Sequence, residues 1–162
     1  MTPRVSRARA ARGNLKERVA VVVLGIDLGA KRIGLAVSDP AARIAFPAGV
    51  IESRGAAKDV AAIAAIVQER GAACVVVGLP IHMNGRRGPE AEAAQRFATE
   101  LAKRTGVRVE LQDERWTSRE AERALGELGR TSRKRERGEV DAIAATLLLR
   151  SFLDRRAKEQ GA

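Results

Sequence analysis

The sequence predicts an α/β fold: a mixed five-stranded sheet, three antiparallel strands and then parallel ones, with helices on both faces. Three observations carry this expectation. Apolar runs and amphipathic stretches follow one another in the order βββαβαβαα. Short turns separate the first three strands, which requires antiparallel pairing, whereas helix-length stretches separate the later ones and make parallel, right-handed crossovers. Aromatic residues are only 2% of the 162 residues, so Ala, Val, Leu and Ile must build the core. Such a core suits helices laid on a sheet.

The elements follow in order. "VAVVVLGID" (19–27) is rich in β-branched residues and reads as a buried strand. "LGAKR" turns the chain, "IGLAVSD" (33–39) is the second strand, and Pro40 ends it. "AFPAGVIES" (45–53) is a third strand, and Pro47 suits an edge position. From Lys58 the period changes. Val60, Ile63, Ala64 and Val67 lie on one helical face, with Gly71 as the stop. "ACVVVGLP" (73–80) is a continuous apolar strand, and "IHMNGRRG" a loop. A helix over 89–106 opens with Pro89 and acids and closes with Lys103, Arg104 and Gly106. "VRVELQD" (107–113) alternates as the last strand. Thr117, Ser118 and Glu120 open a helix over 117–129 in a capping-box pattern. A basic loop (130–138) and a final helix (139–156) follow.

Lys and Arg number 30 against 20 Asp and Glu, a formal net charge of +10. That excess points to a polyanionic partner, because neutralising phosphates releases condensed counterions. The scarcity of aromatic side chains removes the stacking platforms of single-strand binders. A folded or double-stranded nucleic acid held by its backbone fits better. Cys74 is the single cysteine and lies in an apolar strand, so it reads as an inert core residue. No disulfide is implied, and the expected location is the cytoplasm. No run of about 18 apolar residues occurs, so no membrane partner is expected. A G-x-x-x-x-G-K-[ST] phosphate loop is also missing.

Acids mark the chemistry. Asp27 ends the first strand, Asp113 and Glu114 end the last, and Asp141 sits among the apolar residues of the final helix. In α/β sheets sites gather at the carboxyl ends of strands. Charged residues are seldom buried without a partner. Carboxylates meeting at one sheet edge repel each other, and a divalent cation offsets that. Mg²⁺ takes oxygen ligands from few protein groups and keeps room for phosphate oxygens. Two such ions about 4 Å apart suit phosphodiester hydrolysis. Each acid also has an ordinary account: Asp27 as a turn residue, Asp141 as a helix N-terminal charge, Asp113 and Glu114 as a surface cluster with Arg115.

"GIDLGAKRIGLAVSD", "VVVGLPIHMNGRRG", "DERWTS" and "VDAIAATLLL" together resemble the signature blocks of the YqgF/RuvX family. These are bacterial RNase H-like proteins described as pre-16S rRNA nucleases or Holliday-junction-resolvase-like proteins. The first block alone is shared with actin-like and sugar-kinase nucleotide sites; all four in order, over about residues 20–153, are specific. The resemblance implies an RNase H-like fold and a nuclease centre at Asp27, the "DER" acids and Asp141, holding one or two Mg²⁺ or Mn²⁺ ions through Asp27, Glu114 and Asp141. Strand phase groups Asp113 with Val107, Val109 and Leu111, so Asp113 and Glu114 face opposite ways. Phase alone leaves open which one meets the metal.

The better-known RuvC pattern has an acid at the end of the fourth strand, where this chain has "GLP". It also has two acids one turn apart on the last helix, where Asp141 stands alone. Both departures argue against junction resolution more than against phosphodiester hydrolysis. The expected domains are a disordered basic arm (1–18), an RNase H-like nuclease domain (19–156) and a tail (157–162). The expected activity is cleavage of structured RNA, in 5′-end processing of pre-16S rRNA within ribosomal precursor particles. A DNA junction endonuclease and a nonenzymatic RNA-binding assembly factor are the alternatives. Monomer and homodimer are both compatible with the sequence.

Candidate phosphate contacts are Lys31 and Arg32 on the first turn, Asn84, Arg86 and Arg87 on the loop after the fourth strand, and Arg115 beside the acids. Arg133, Lys134 and Arg135 belong to the densest basic run, just before the helix of Asp141. A solvated charge run is the plainer account of the 84–88 loop, but its edge position favours phosphate contact; the later run is polar enough to be disordered without ligand. Gly25, Gly29 and Gly34 suit either a tight hairpin or close approach of a phosphate. His82, the one histidine, is a weaker candidate for a general base, and Trp116 fits packing under the following helix better than base stacking.

Overall fold

The computed structural model describes residues 21–115 and 137–161. The elements are β1 (Val22–Leu28), β2 (Arg32–Ser38), β3 (Ala45–Glu52), α1 (Ala56–Arg70), β4 (Ala72–Leu79), α2 (Pro89–Thr105), β5 (Arg108–Asp113) and α3 (Arg137–Gly161). The sheet order is β3-β2-β1-β4-β5. β1–β2 and β2–β3 pair antiparallel, while β1–β4 and β4–β5 pair parallel. This is the mixed sheet the sequence predicts.

Period-two alternation divides the apolar side chains between two faces. Leu24, Ile26, Val75 and Val77 pack with Ile63 and Val67 of α1 and Phe97 and Leu101 of α2. Val23, Ala36, Cys74 and Val76 pack with Ala145, Leu149, Phe152 and Leu153 of α3. Full burial of each such Leu, Ile or Val contributes about 1.5–3 kcal/mol. Cys74 is 3% exposed, and burial pushes its thiol pKa up, with the charge of Glu110 adding to it. It is the inert core residue expected.

The helix ends follow local chemistry. Gly71 and Gly106 stop α1 and α2 at φ 62° and 71°, a left-handed turn that suits residues without a Cβ. α1 begins at Ala56, two residues before the expected start. Asp59 is buried there and accepts hydrogen bonds from Ser53 Oγ and Arg54 N. The last helix differs from expectation at both ends. It begins at Arg137, inside the expected basic loop, and runs to Gly161 rather than stopping at residue 156. Ala157–Gln160 are good helix formers, so the helix extends beyond its apolar stripe. The expected helix over 117–129 and the basic arm over 1–18 lie outside the described residues.

Candidate active site

Strand phase decides which acids can meet. Val23 packs on α3, and a Cβ built on Gly25 would lie 2.9 Å from Leu149 Cβ. Asp27, next in that series, therefore faces α3 at the carboxyl end of β1. On β5, Gln112 Nε2 donates to Ser151 Oγ of α3 at 3.4 Å. Glu114, two residues on, keeps the same phase, and its N–H donates to Leu79 O at 3.1 Å. The side chain then crosses β4 at Gly78, where a Cβ would overlap the Glu114 carboxyl group. Beyond it, the Glu114 and Asp27 carboxyl groups share a hydrogen bond.

Asp141 reaches the same edge from α3. Gly34 of β2, paired with Asp27, lies directly beneath it, and a Cβ there would overlap the Asp141 carbonyl oxygen. Arg32 shares the phase of Gly34, and its Nε donates to Asp141 Oδ2 at 2.9 Å. Asp27, Glu114, Asp141 and Arg32 thus converge on the α3 face. Close approach by α3 is what Gly25 and Gly34 provide, so a phosphate cannot occupy the space in front of them. Gly29 serves the turn, its N–H donating to Arg32 O at 2.9 Å.

The Asp27–Glu114 pair is electrostatically loaded. Burial, then the hydrogen bond and charge of Asp27, then the charge of Asp113 push the Glu114 pKa up to about 8. Burial also raises Asp27; the hydrogen bond from Glu114 lowers it and the charge of Asp141 raises it again. Their hydrogen bond raises Glu114 and lowers Asp27, so Glu114 is the carboxyl that keeps its proton more firmly.

Asp113 points the other way, in phase with Val109 and Leu111 against α2. Arg115 grips it through Nε at 2.9 Å and Nη2 at 2.7 Å. That guanidinium holds the Asp113 carboxyl below the usual range. The faces left open by alternation are therefore distinguished: Glu114 joins Asp27, while Asp113 holds Arg115.

Among the described residues, no three His, Cys, Asp or Glu side chains are grouped closely enough to hold a metal ion. The donor set nevertheless fits a hard cation. It is all carboxylate oxygen, and burial with repulsion from neighbouring carboxylates raises both Asp27 and Glu114, a charge cost that a dication offsets. Asp141, the third acid, is turned to Arg32.

The basic candidates divide similarly. Lys31 is exposed on the β1–β2 turn, whereas Arg32 and Arg115 are engaged by acids. Arg86 and Arg87 are exposed on the loop after β4. That loop is tied by His82 N to Arg86 O at 3.0 Å, Gly85 N to His82 O at 2.8 Å, and an Ile81–Arg87 bridge. Asn84 takes part in this framework, its Oδ1 accepting from Arg86 N at 3.0 Å. The charge of Arg87 acts on Asp113, which places the loop beside the acidic edge. Arg133, Lys134, Arg135, Trp116, Thr117 and Ser118 lie outside the described residues. Two grooves, about 620 and 700 Å³, are lined by α1 and α2 on the opposite face and do not touch these acids.

Gly78 is the site residue that the sequence reading missed. A glycine within an otherwise apolar strand is the available signal, because it marks close approach by another group.

A family model for RuvX, described as Holliday junction resolvase, matches residues 21–155. The chain belongs to the RuvX family. It is thereby a nuclease, a phosphodiester hydrolase. A RuvX relative from Chloroflexus aurantiacus is 44% identical over 135 residues, 83% of this chain and 88% of its own. Another, from Anaeromyxobacter dehalogenans, is 48% identical over 134 residues, 83% of this chain and 97% of its own. Both carry the name "Putative pre-16S rRNA nuclease". T. thermophilus RuvC in complex with Holliday junction substrate superposes at TM-score 0.55 and 19% identity, covering 85% of this chain and 96% of that one. Fowlpox virus resolvase in complex with junction DNA gives 0.54 at 9% identity, covering 84% and 99%. The RuvX chain thus has the RNase H-like fold of these resolvases. No helix among its described residues is long and apolar enough to cross a membrane.

Proposed function

We propose that this RuvX chain is a divalent-cation-dependent nuclease that cleaves structured RNA, acting on the 5′ end of the 16S rRNA precursor. The observation that carries the reading is the convergence of the Asp27 and Glu114 carboxyls, hydrogen-bonded to each other, with Asp141 at the carboxyl edge of the sheet. Asp27 and Glu114 would hold Mg²⁺ or Mn²⁺, and Asp141 would complete the set. The ion would supply activation of water and charge stabilisation at the scissile phosphate. Lys31, Arg86 and Arg87 hold the substrate backbone over this edge. Asp113 fixes Arg115 there. The names of the relatives support the RNA substrate, and the net charge of +10 supports a nucleic-acid partner.

The test is a cleavage assay on precursor 16S rRNA ends, duplex DNA and a four-way junction, with Mg²⁺, Mn²⁺ or chelator. The expected result is metal-dependent cutting of the precursor. In Asp27→Asn, turnover falls on the order of 100-fold or more while RNA affinity is retained. Full metal-dependent turnover by that variant overturns the assignment of Asp27. Paired nicks on the junction alone replace the RNA reading with resolution. Binding without cutting under any divalent ion leaves an assembly factor.

A further inference from the structure

Three acids share the α3 face, but they are engaged differently. Asp27 and Glu114 hold each other. Asp141 accepts from Arg32 Nε at 2.9 Å, with the two side chains 29% and 31% exposed. The pair is held by one charge-assisted hydrogen bond at a partly exposed place, so a charged competitor for either partner displaces the other. A divalent cation competes for Asp141. A phosphate competes for Arg32, whose planar fork matches its oxygens. Both competitors belong to the reaction proposed above, and the partial exposure gives both access.

We propose that Arg32 is a latch on Asp141: it competes with the divalent cation for that carboxylate and releases it when a substrate phosphate takes the guanidinium. The inference rests on the reading of Asp27, Glu114 and Asp141 as the cation-holding set. Arg32 is then a positioning residue that acts through Asp141. Substrate and cation become reciprocally coupled, each tightening the other. Without substrate, Asp141 stays engaged by Arg32.

The test is Mn²⁺ titration of the full chain by calorimetry, without nucleic acid. Arg32→Gln frees Asp141, so Mn²⁺ should bind about threefold tighter or more, the range expected for losing a partly exposed competing ion pair. Removal of any nearby positive charge also favours a cation, and Lys31→Gln controls for this by removing one next door. Its effect should be clearly smaller. Combining Arg32→Gln with Asp141→Asn should abolish the gain, because the latch acts through Asp141. Arg32→Met retains the aliphatic stem and serves if the glutamine variant does not fold. A phosphorothioate RNA hairpin should tighten Mn²⁺ binding to the wild type more than to Arg32→Gln.

Equal Mn²⁺ affinity in wild type and Arg32→Gln overturns the latch and leaves the nuclease reading standing. So does a gain that Lys31→Gln matches or that survives Asp141→Asn. Failure of both wild type and Arg32→Gln to bind Mn²⁺ overturns the cation-holding set itself, and the latch with it.

Discussion

Glu114, just past the end of β5, and Asp27 of β1 share a hydrogen bond although β5 and β1 are not neighbours in the sheet. The carboxyl of Glu114 spans β4 at the one place where that strand carries no side chain near its carboxyl end, Gly78. This crossing makes a two-carboxyl centre from strands separated by a third.

Gly78→Ala tests the crossing. Its Cβ would overlap the Glu114 carboxyl group, whose far end must swing away from Asp27. The expected stability loss is modest, about 1–3 kcal/mol, as for an added methyl group in a packed place. Cleavage should fall far more, on the order of 100-fold, with weaker Mn²⁺ binding. Denaturant unfolding and turnover on one preparation separate the effects. Unchanged turnover would remove Glu114 from the centre.

The raised pKa of Glu114 predicts a pH dependence. An acid held above its ordinary pKa favours the folded state through its bound proton. For Glu114 that contribution is complete below pH 4.5 and is lost as pH rises through about 8. In chelator, Tm should therefore decline across this window, and Glu114→Gln should flatten the decline. Added Mg²⁺ should raise Tm more near pH 8 than near pH 5.5, because the ionised pair binds it. Thermal melts over pH, with and without Mg²⁺, read this directly.

Gly34→Ala should damage the site through the backbone. The new Cβ would overlap the carbonyl of Asp141, and backbone cannot swing aside as a side-chain end can. Displacing the start of α3 should cost about 1–3 kcal/mol or more and move Asp141 from the edge. The measured outcome is a lower unfolding midpoint together with lost turnover. A variant of wild-type stability and turnover would contradict the close packing of α3 on β2.

Arg86 and Arg87 should contribute affinity through phosphates. Replacing both by Gln should raise KM and make the salt dependence of RNA binding shallower by about 1.5 to 2 in log–log slope. Gel-shift titrations at several salt concentrations give that slope. An unchanged slope would return the loop to an ordinary solvated charge run.

The order and pairing of strands were legible in the chain, because period and turn length are local properties. So were the acids at strand ends and the glycine stops after α1 and α2. The continuation of α3 to Gly161 was not, because the helical propensity of Ala157–Gln160 outlasts the apolar stripe that marks packing. Strand phase alone also left open which of Asp113 and Glu114 meets the metal, although the family resemblance favoured Glu114. Alternation separates their faces, but only the position of α3 over Val23, Gly25 and Asp27 makes one face the site. Arg32 read as a phosphate contact, and its partner Asp141 is 109 residues away in the chain. By itself the sequence determined fold class, family and the set of charged groups, since these follow from residue type and near neighbours. Tertiary structure alone decided which carboxyls meet each other and which face a guanidinium. Those energies depend on separations of a few ångströms between distant segments, and glycines such as Gly34 and Gly78 register them only as side chains left out.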